Sequence, residues 1–320
     1  MKNILYLHAG AELYGADIVL LNLIKGIDKN KYNPYVILPC DGPLVQKMKD
    51  NNINVEVIPY PILRRQYFNP KGIINYITNY IKYCKKIVQV AKTNNIEIIH
   101  NNTIAVLQGI YIKKKTKAKL IWHIHEILEN PKIMAKFLAK ITAKYSDKVV
   151  TVSNAVKENL EKQAKFRNNI QVIYNGVDNE IFNTDNKVEY LKKEFNIPNN
   201  AMIIGMIGRI NSWKGQKDLI DASTELLEKN ENVYIMLVGG VFEGQEWRKK
   251  ELEEYIKSQK NSDRIILSDF REDSPNIHNL FDIFILPSTN PDPLPTVILE
   301  AMATKKPIVA YKHGGVCEMV

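Results

Sequence analysis

Short runs rich in Ile, Val and Leu recur along nearly the whole chain, each separated from the next by a longer amphipathic stretch. That alternation is the pattern of a parallel sheet covered by helices, because parallel neighbours can be joined only through crossovers. Ile4–His8, Tyr35–Leu38, Val55–Ile58, Ile96–His100, Leu120–His123 and Val149–Val152 are the expected strands of a first sheet. Helices are expected between them over Ala16–Ile27, Pro43–Asn51, Gly72–Lys92, Ile104–Lys114 and Ile133–Tyr145. A polar, turn-rich stretch, YNGVDNEIFNTDN, around Asn175 and Gly176 reads as a linker. A second alternation follows, with strands at Met202–Ile207, Val233–Val238, Arg264–Leu267, Ile283–Leu286 and Ile308–Ala310. With 320 residues, 45% of them hydrophobic, the chain has material for two cores. The expectation is two doubly wound, Rossmann-like α/β domains, residues 1–175 and 176–320. The sequence stops at GGVCEMV, after a strand and a Gly-Gly turn where a helix is expected, so the second domain reads as truncated at its C-terminal end.

A formal charge of +9, from 44 Lys+Arg against 35 Asp+Glu, suits an anionic partner such as nucleic acid, a lipid surface or a phosphorylated small molecule. Cys40, Cys84 and Cys317 lie far apart without a CxxC pair, so neither a disulfide framework nor a zinc knuckle is encoded and a reducing cytosol is the simplest home. No apolar run approaches the roughly 20 residues of a membrane-spanning helix. Nucleic acid is disfavoured, because no recognised fold cue or interleaved aromatic platform accompanies the lysines. A basic stripe at Lys132, Lys136, Lys140 and Lys144, beside Ile133, Met134, Phe137, Leu138 and Ile141, leaves two readings open. It is either an ordinary amphipathic helix packed on the sheet or a peripheral contact with an anionic membrane.

In a doubly wound sheet, ligands bind at the carboxyl ends of the strands. Neither GxGxxG after the first strand nor a Walker-A sequence is present, so nicotinamide chemistry and P-loop hydrolysis lose support. The first strand runs into HAGAELYGAD, where Gly15 opens a helix and can bring bare amides against an anion, or simply fits a βα turn. In GMIGRINSWKGQKDLI, Arg209 and Lys214 precede a helix, where cations have the wrong sign for the dipole. A diphosphate held by a guanidinium fork and an ammonium would reverse that penalty; two solvated loop cations are the plainer alternative. In LPSTNPDPLPTVILEAMATKKPIVA, Glu300 sits on an otherwise nearly apolar helix and needs a partner or a ligand. Pro295 fits the first helical turn and leaves the amides around Leu294 and Thr296 for an anion, and Asp292 lies on the incoming loop. No DxD and no cluster with metal-ligand spacing is present.

Taken together, these segments resemble the retaining family-4 glycosyltransferases (glycosyl transferases group 1), which have the two-domain GT-B fold. The resemblance rests on Asp292 to Glu300 in PDPLPTVILEAMA and on Gly208 to Gln216, with NGVD at Asn175, VSNAVKENL at Ser153 and GGVCE at Gly314 as further landmarks. It implies that Arg209 and Lys214 neutralise a donor diphosphate without a metal or other cofactor, that Glu300 grips the nucleoside ribose, and that Asp292 contacts the transferred sugar. Gly15 and Ala16 would supply first-domain amides near the phosphates, and His125 in WHIHE matches the family's histidine at the catalytic cleft between the domains. The sequence departs from the pattern twice: the first acid is often Glu, and a glycine often stands where Pro295 does. The implied activity is transfer of a sugar from a UDP- or GDP-linked donor to a glycan or lipid-linked acceptor hydroxyl, in the cytoplasm or at the inner face of the cell membrane. A nucleotide-sugar epimerase of the same fold and a non-catalytic binding subunit are the alternatives. First-domain loops, among them Leu63–Phe68, are expected to shape acceptor choice.

Overall fold

The computed structural model describes residues 1–64 and 67–320. Arg65 and Gln66 of the Leu63–Phe68 loop therefore lie outside the described residues. The chain forms two compact units, Met1–Asn175 and Gly176–Val320.

The first unit runs β1 (Lys2–Leu7), α1 (Gly15–Gly26), β2 (Tyr32–Leu38), α2 (Pro43–Asp50), β3 (Asn54–Val57), α3 (Pro70–Thr93), β4 (Ile98–Asn102), α4 (Gln108–Lys115), β5 (Lys119–Ile124), α5 (Lys132–Tyr145), β6 (Lys148–Thr151), α6 (Asn154–Glu161) and β7 (Ile170–Val172). Among the described residues its strands form one parallel sheet in the order β3-β2-β1-β4-β5-β6-β7. Burial on both faces explains the continuous apolar runs: Leu5, Leu7, Ile99, Leu120 and Trp122 are fully buried. The Trp122 indole N–H is satisfied by the Thr103 carbonyl at 2.8 Å. Helix ends follow local chemistry. Asn69 caps α3 by accepting the Gly72 amide, with Pro70 in the first turn, and Ser153 caps α6 by accepting the Val156 amide.

The helix expected from Ile104 starts only at Gln108. Thr103 has φ of 87°, and the Asn101 side chain donates to the Val106 carbonyl at 2.7 Å, so residues 103–107 form a turn in which Ile104, Val106 and Leu107 are buried without being helical. The apolar residues of this segment mark burial and not helical periodicity.

The second unit runs α7 (Glu189–Glu194), β8 (Met202–Ile207), α8 (Gln216–Lys229), β9 (Val233–Val238), α9 (Glu246–Lys257), β10 (Ile265–Ser268), α10 (Ser274–Leu280), β11 (Ile283–Leu286), α11 (Thr296–Ala303) and β12 (Ile308–Ala310), then a 3-10 turn over Gly314–Glu318. Its parallel sheet has the order β10-β9-β8-β11-β12. In each unit the chain leaves a central strand in one direction and later returns on its other side. The strand order thus reverses between β1 and β4 and between β8 and β11, and the crevice at such a reversal is where an open α/β sheet offers a ligand both loops. Among the described residues, no helix is long and apolar enough to cross a membrane.

Candidate functional site

At the second reversal, Arg209 and Lys214 follow β8, while Asp292 and Glu300 follow β11 on its loop and on α11. The β8 loop is fixed by its own asparagine and tied to the β11 loop by a backbone bond. Asn211 Oδ1 accepts the amides of Trp213 and Lys214 at 3.0 and 2.9 Å, and the Thr289 amide donates to the Trp213 carbonyl at 2.7 Å. Gly215 adopts φ of 80°, and a Cβ there would lie 2.0 Å from the Pro287 carbonyl oxygen. Only glycine permits both the left-handed turn and this approach. The Gly315 amide donates to the Asp292 carbonyl at 2.8 Å, which gives GGVCE a physical role as the brace of the acidic loop.

This scaffold brings Lys214 onto Asp292: Nζ lies 2.9 and 3.0 Å from the two carboxylate oxygens. The pair is largely withdrawn from solvent, with side chains 15% and 6% exposed. The sequence reading gave Lys214 to a substrate anion and Asp292 to sugar hydroxyls as separate duties. The structure adds a direct link between them: each is the other's counterion. Opposite charges removed from water at such short range pair, because leaving either alone costs several kcal/mol. The pairing spans 78 positions, which no local pattern reveals.

Arg209 stacks on Phe242, its guanidinium carbon 3.4 Å from the ring centroid, so one face of the fork is covered. Gln216 Nε2 donates to the Arg209 carbonyl at 3.0 Å and fixes the backbone beneath it. Glu300 meets His278, the fully buried imidazole of α10, with Nε2 3.0 Å from Oε2. This is the partner that a carboxylate on an apolar helix requires. Pro295 stands immediately before α11 and Thr296 begins it, while Leu294 is buried beneath the turn.

The first reversal carries a polar relay. Asp17 Oδ2 accepts the Tyr14 amide at 3.0 Å, and Asp17 Oδ1 meets His8 Nε2 at 2.8 Å. Asn102 Nδ2 reaches His8 Nδ1 at 3.0 Å, and Asn102 Oδ1 reaches His125 Nε2 at 2.9 Å. With the amide donating to His8 and accepting from His125, Nε2 is the protonated nitrogen of both imidazoles, and His125 Nδ1 is left an acceptor. Gly15 and Ala16 form the first turn of α1, where Asp17 already places a carboxylate. Burial, reinforced by His123, pushes His125 well below the ordinary histidine range, so it is neutral near pH 7. Burial likewise lowers His123 to about 4. The neighbouring Glu126 is raised to about 7 by burial, although its carboxylate accepts the His125 and Ile104 amides.

The profile described as "Glycosyltransferase Family 4" matches residues 14–181, more than half of the chain, and that described as "Glycosyl transferases group 1" matches residues 187–320. The chain belongs to the family-4, group 1 glycosyltransferases. This glycosyltransferase is similar over its whole length to Anabaena HepE, solved in complex with UDP-glucose, at 27% identity and a TM-score of 0.85 over 83% of that chain. It is 23% identical to the putative glycosyltransferase YtcC of Bacillus subtilis over 74% of its own length and 61% of that protein's, so it spans less than two thirds of that relative. It is 24% identical to the Escherichia coli UDP-Gal:alpha-D-GlcNAc-diphosphoundecaprenol alpha-1,3-galactosyltransferase over 94% of its own length and 80% of that enzyme's.

Sequence reasoning missed His278, Phe242, Asp17 and Asn102 as members of these two clusters. Their contacts join separate elements across the fold, and the one available signal was a histidine or an acid placed where an apolar neighbourhood demands a partner.

Proposed function

We propose that this glycosyltransferase acts with retention of configuration and without a divalent metal, moving a hexosyl group from a UDP- or GDP-linked donor to a hydroxyl of a glycan or lipid-linked glycan. The observation that carries the reading is the grouping at the β8/β11 reversal of two cations, Arg209 and Lys214, with two acids, Asp292 and Glu300. HepE, bound to UDP-glucose and 27% identical, supports the donor class.

Arg209, held flat on Phe242, offers its fork to the leaving diphosphate. Lys214 carries three N–H donors, of which Asp292 uses two at most, so one remains for a phosphate oxygen. When Asp292 turns to the sugar hydroxyls, the ammonium charge passes to the diphosphate. Glu300, oriented by His278, accepts the ribose hydroxyls. The bond from the anomeric carbon to phosphate oxygen breaks, the sugar becomes oxocarbenium-like, and the acceptor oxygen bonds on the same face, its proton passing to the departing phosphate. The stabilisation of charge developing on that phosphate is the principal contribution of the site.

The test is incubation with UDP- and GDP-sugars and candidate acceptors in the presence of EDTA, reading diphosphate release and the anomeric configuration of the product. Acceptor-dependent release with retained configuration is the expected result. Sugar interconversion without an acceptor would make it an epimerase instead, and nucleotide binding without turnover a binding subunit.

A further inference from the structure

Helices α3, α4 and α5 follow one another across one face of the first sheet, since β3, β4, β5 and β6 are joined by successive parallel crossovers of one hand. The layer is held together by its own contacts: Tyr80 of α3 packs edge-on against Tyr111 of α4, and Lys113 of α4 donates to the Tyr145 carbonyl at the end of α5. The three helices contain five, three and four lysines and no aspartate or glutamate. Their twelve positive charges exceed the +9 of the entire chain, so the remainder of the protein is net acidic. Among the described residues, none of the nine lysines of α3 and α5 enters an ion pair with a side-chain carboxylate.

Large apolar side chains stand exposed among these lysines. On α3 they are Ile73, Ile74, Ile77 and Ile81, spaced to form one stripe, with Ile74 at 65% exposure. On α5, Ala135, Leu138, Ala139 and Thr142 face the sheet, while Ile133, at 86% exposure, and Phe137 point outward beside Lys132, Lys136 and Lys140. An ordinary amphipathic helix turns such residues inward. Water alone gives no reason for isoleucines beside lysines that have no carboxylate partner, but an anionic bilayer does, taking apolar side chains at the headgroup boundary and ammonium groups among the phosphates.

We propose that the α3–α4–α5 face is a docking surface for an anionic lipid bilayer, with Ile74, Ile77, Ile133 and Phe137 entering the interface and the lysines contacting lipid phosphates. The inference does not rest on the proposed reaction, and its test reads binding rather than turnover. The full chain is sedimented with phosphatidylcholine vesicles and with vesicles that also contain phosphatidylglycerol. Binding to the second set only, weakened by salt, is expected. The double variant K136E/K140E should lower partitioning about tenfold or more, and Ile77→Asp with Phe137→Asp should abolish it. These side chains are exposed, so far-UV circular dichroism and the melting temperature should match the wild type. Equal partitioning to both vesicle types, no binding to either, or variants that bind like the wild type overturn the proposal. So does a stable dimer in solution that Ile77→Asp dissociates while vesicles are ignored, since the face would then be a self-interface.

Discussion

Lys214 and Asp292, one from the loop after β8 and the other from the loop after β11, form a two-contact ion pair at 2.9 and 3.0 Å that is nearly removed from solvent. The cation assigned to the leaving group is thus already held by the acid assigned to the sugar. Lys214 and Asp292 therefore offset each other's charge, and a donor that engages both must exchange one set of hydrogen bonds for another.

That pair separates stability from activity. Lys214→Ala strands a buried carboxylate and should lower unfolding free energy by about 3 kcal/mol in denaturant titrations. The apolar double variant K214M/D292L should recover most of that loss and none of the turnover. If the double variant stays as unstable as the single one, the pair is not what holds the two loops together.

His278 positions Glu300, so its removal should act on donor binding. His278→Ala should raise donor KM more than it lowers kcat, because ribose contacts are made equally in the ground and transition states. His278→Gln, whose amide can still donate to the carboxylate, should retain most of the donor affinity. Equal losses in both variants would reduce His278 to a packing residue.

Asn102 sits between His8 and His125, donating to one and accepting from the other. Asn102→Asp puts a carboxylate against the His125 imidazole and favours its charged form. The acidic limb of the kcat/KM profile should move to higher pH. An unchanged profile at reduced rate would remove the relay from the reaction.

Glu126 gives the first unit a stability that depends on pH. Its folded value of about 7 lies above the ordinary glutamate range, so the folded state holds the extra proton. Its contribution is fully present below the unfolded value and is lost as pH rises through about 7. The opposite sign applies to His100, His123 and His125, whose lowered values cost stability in acid. Glu126→Gln removes the first effect only. The variant should gain on the wild type between pH 5 and pH 8, by on the order of 2 kcal/mol in paired denaturant titrations. A difference that does not vary with pH contradicts this assignment.

The architecture was legible because burial on both faces of a parallel strand leaves an unbroken apolar run: β8, β9 and β11 begin and end at the expected residues, and so does the more exposed edge strand β12. The region after β4 was not, since Thr103 and Asn101 turn an apolar stretch into a buried loop. At the site, chemistry announced needs but not partners. An acid on the apolar helix α11 had to be satisfied, yet that His278 satisfies it depends on how α10 packs. Lys214 and Asp292 were each visible at a strand end, but their pairing is set by the Gly215 and Gly315 turns that press the two loops together.

The account stands on Arg209 and Lys214 receiving the charge of the departing diphosphate, and single-turnover kinetics on the preferred nucleotide sugar measures this most directly. Arg209→Ala should slow the chemical step by about a hundredfold or more while the protein keeps its melting temperature, the range expected when one donor to a developing oxyanion is lost. Turnover by Arg209→Ala within a few-fold of the wild type would contradict it.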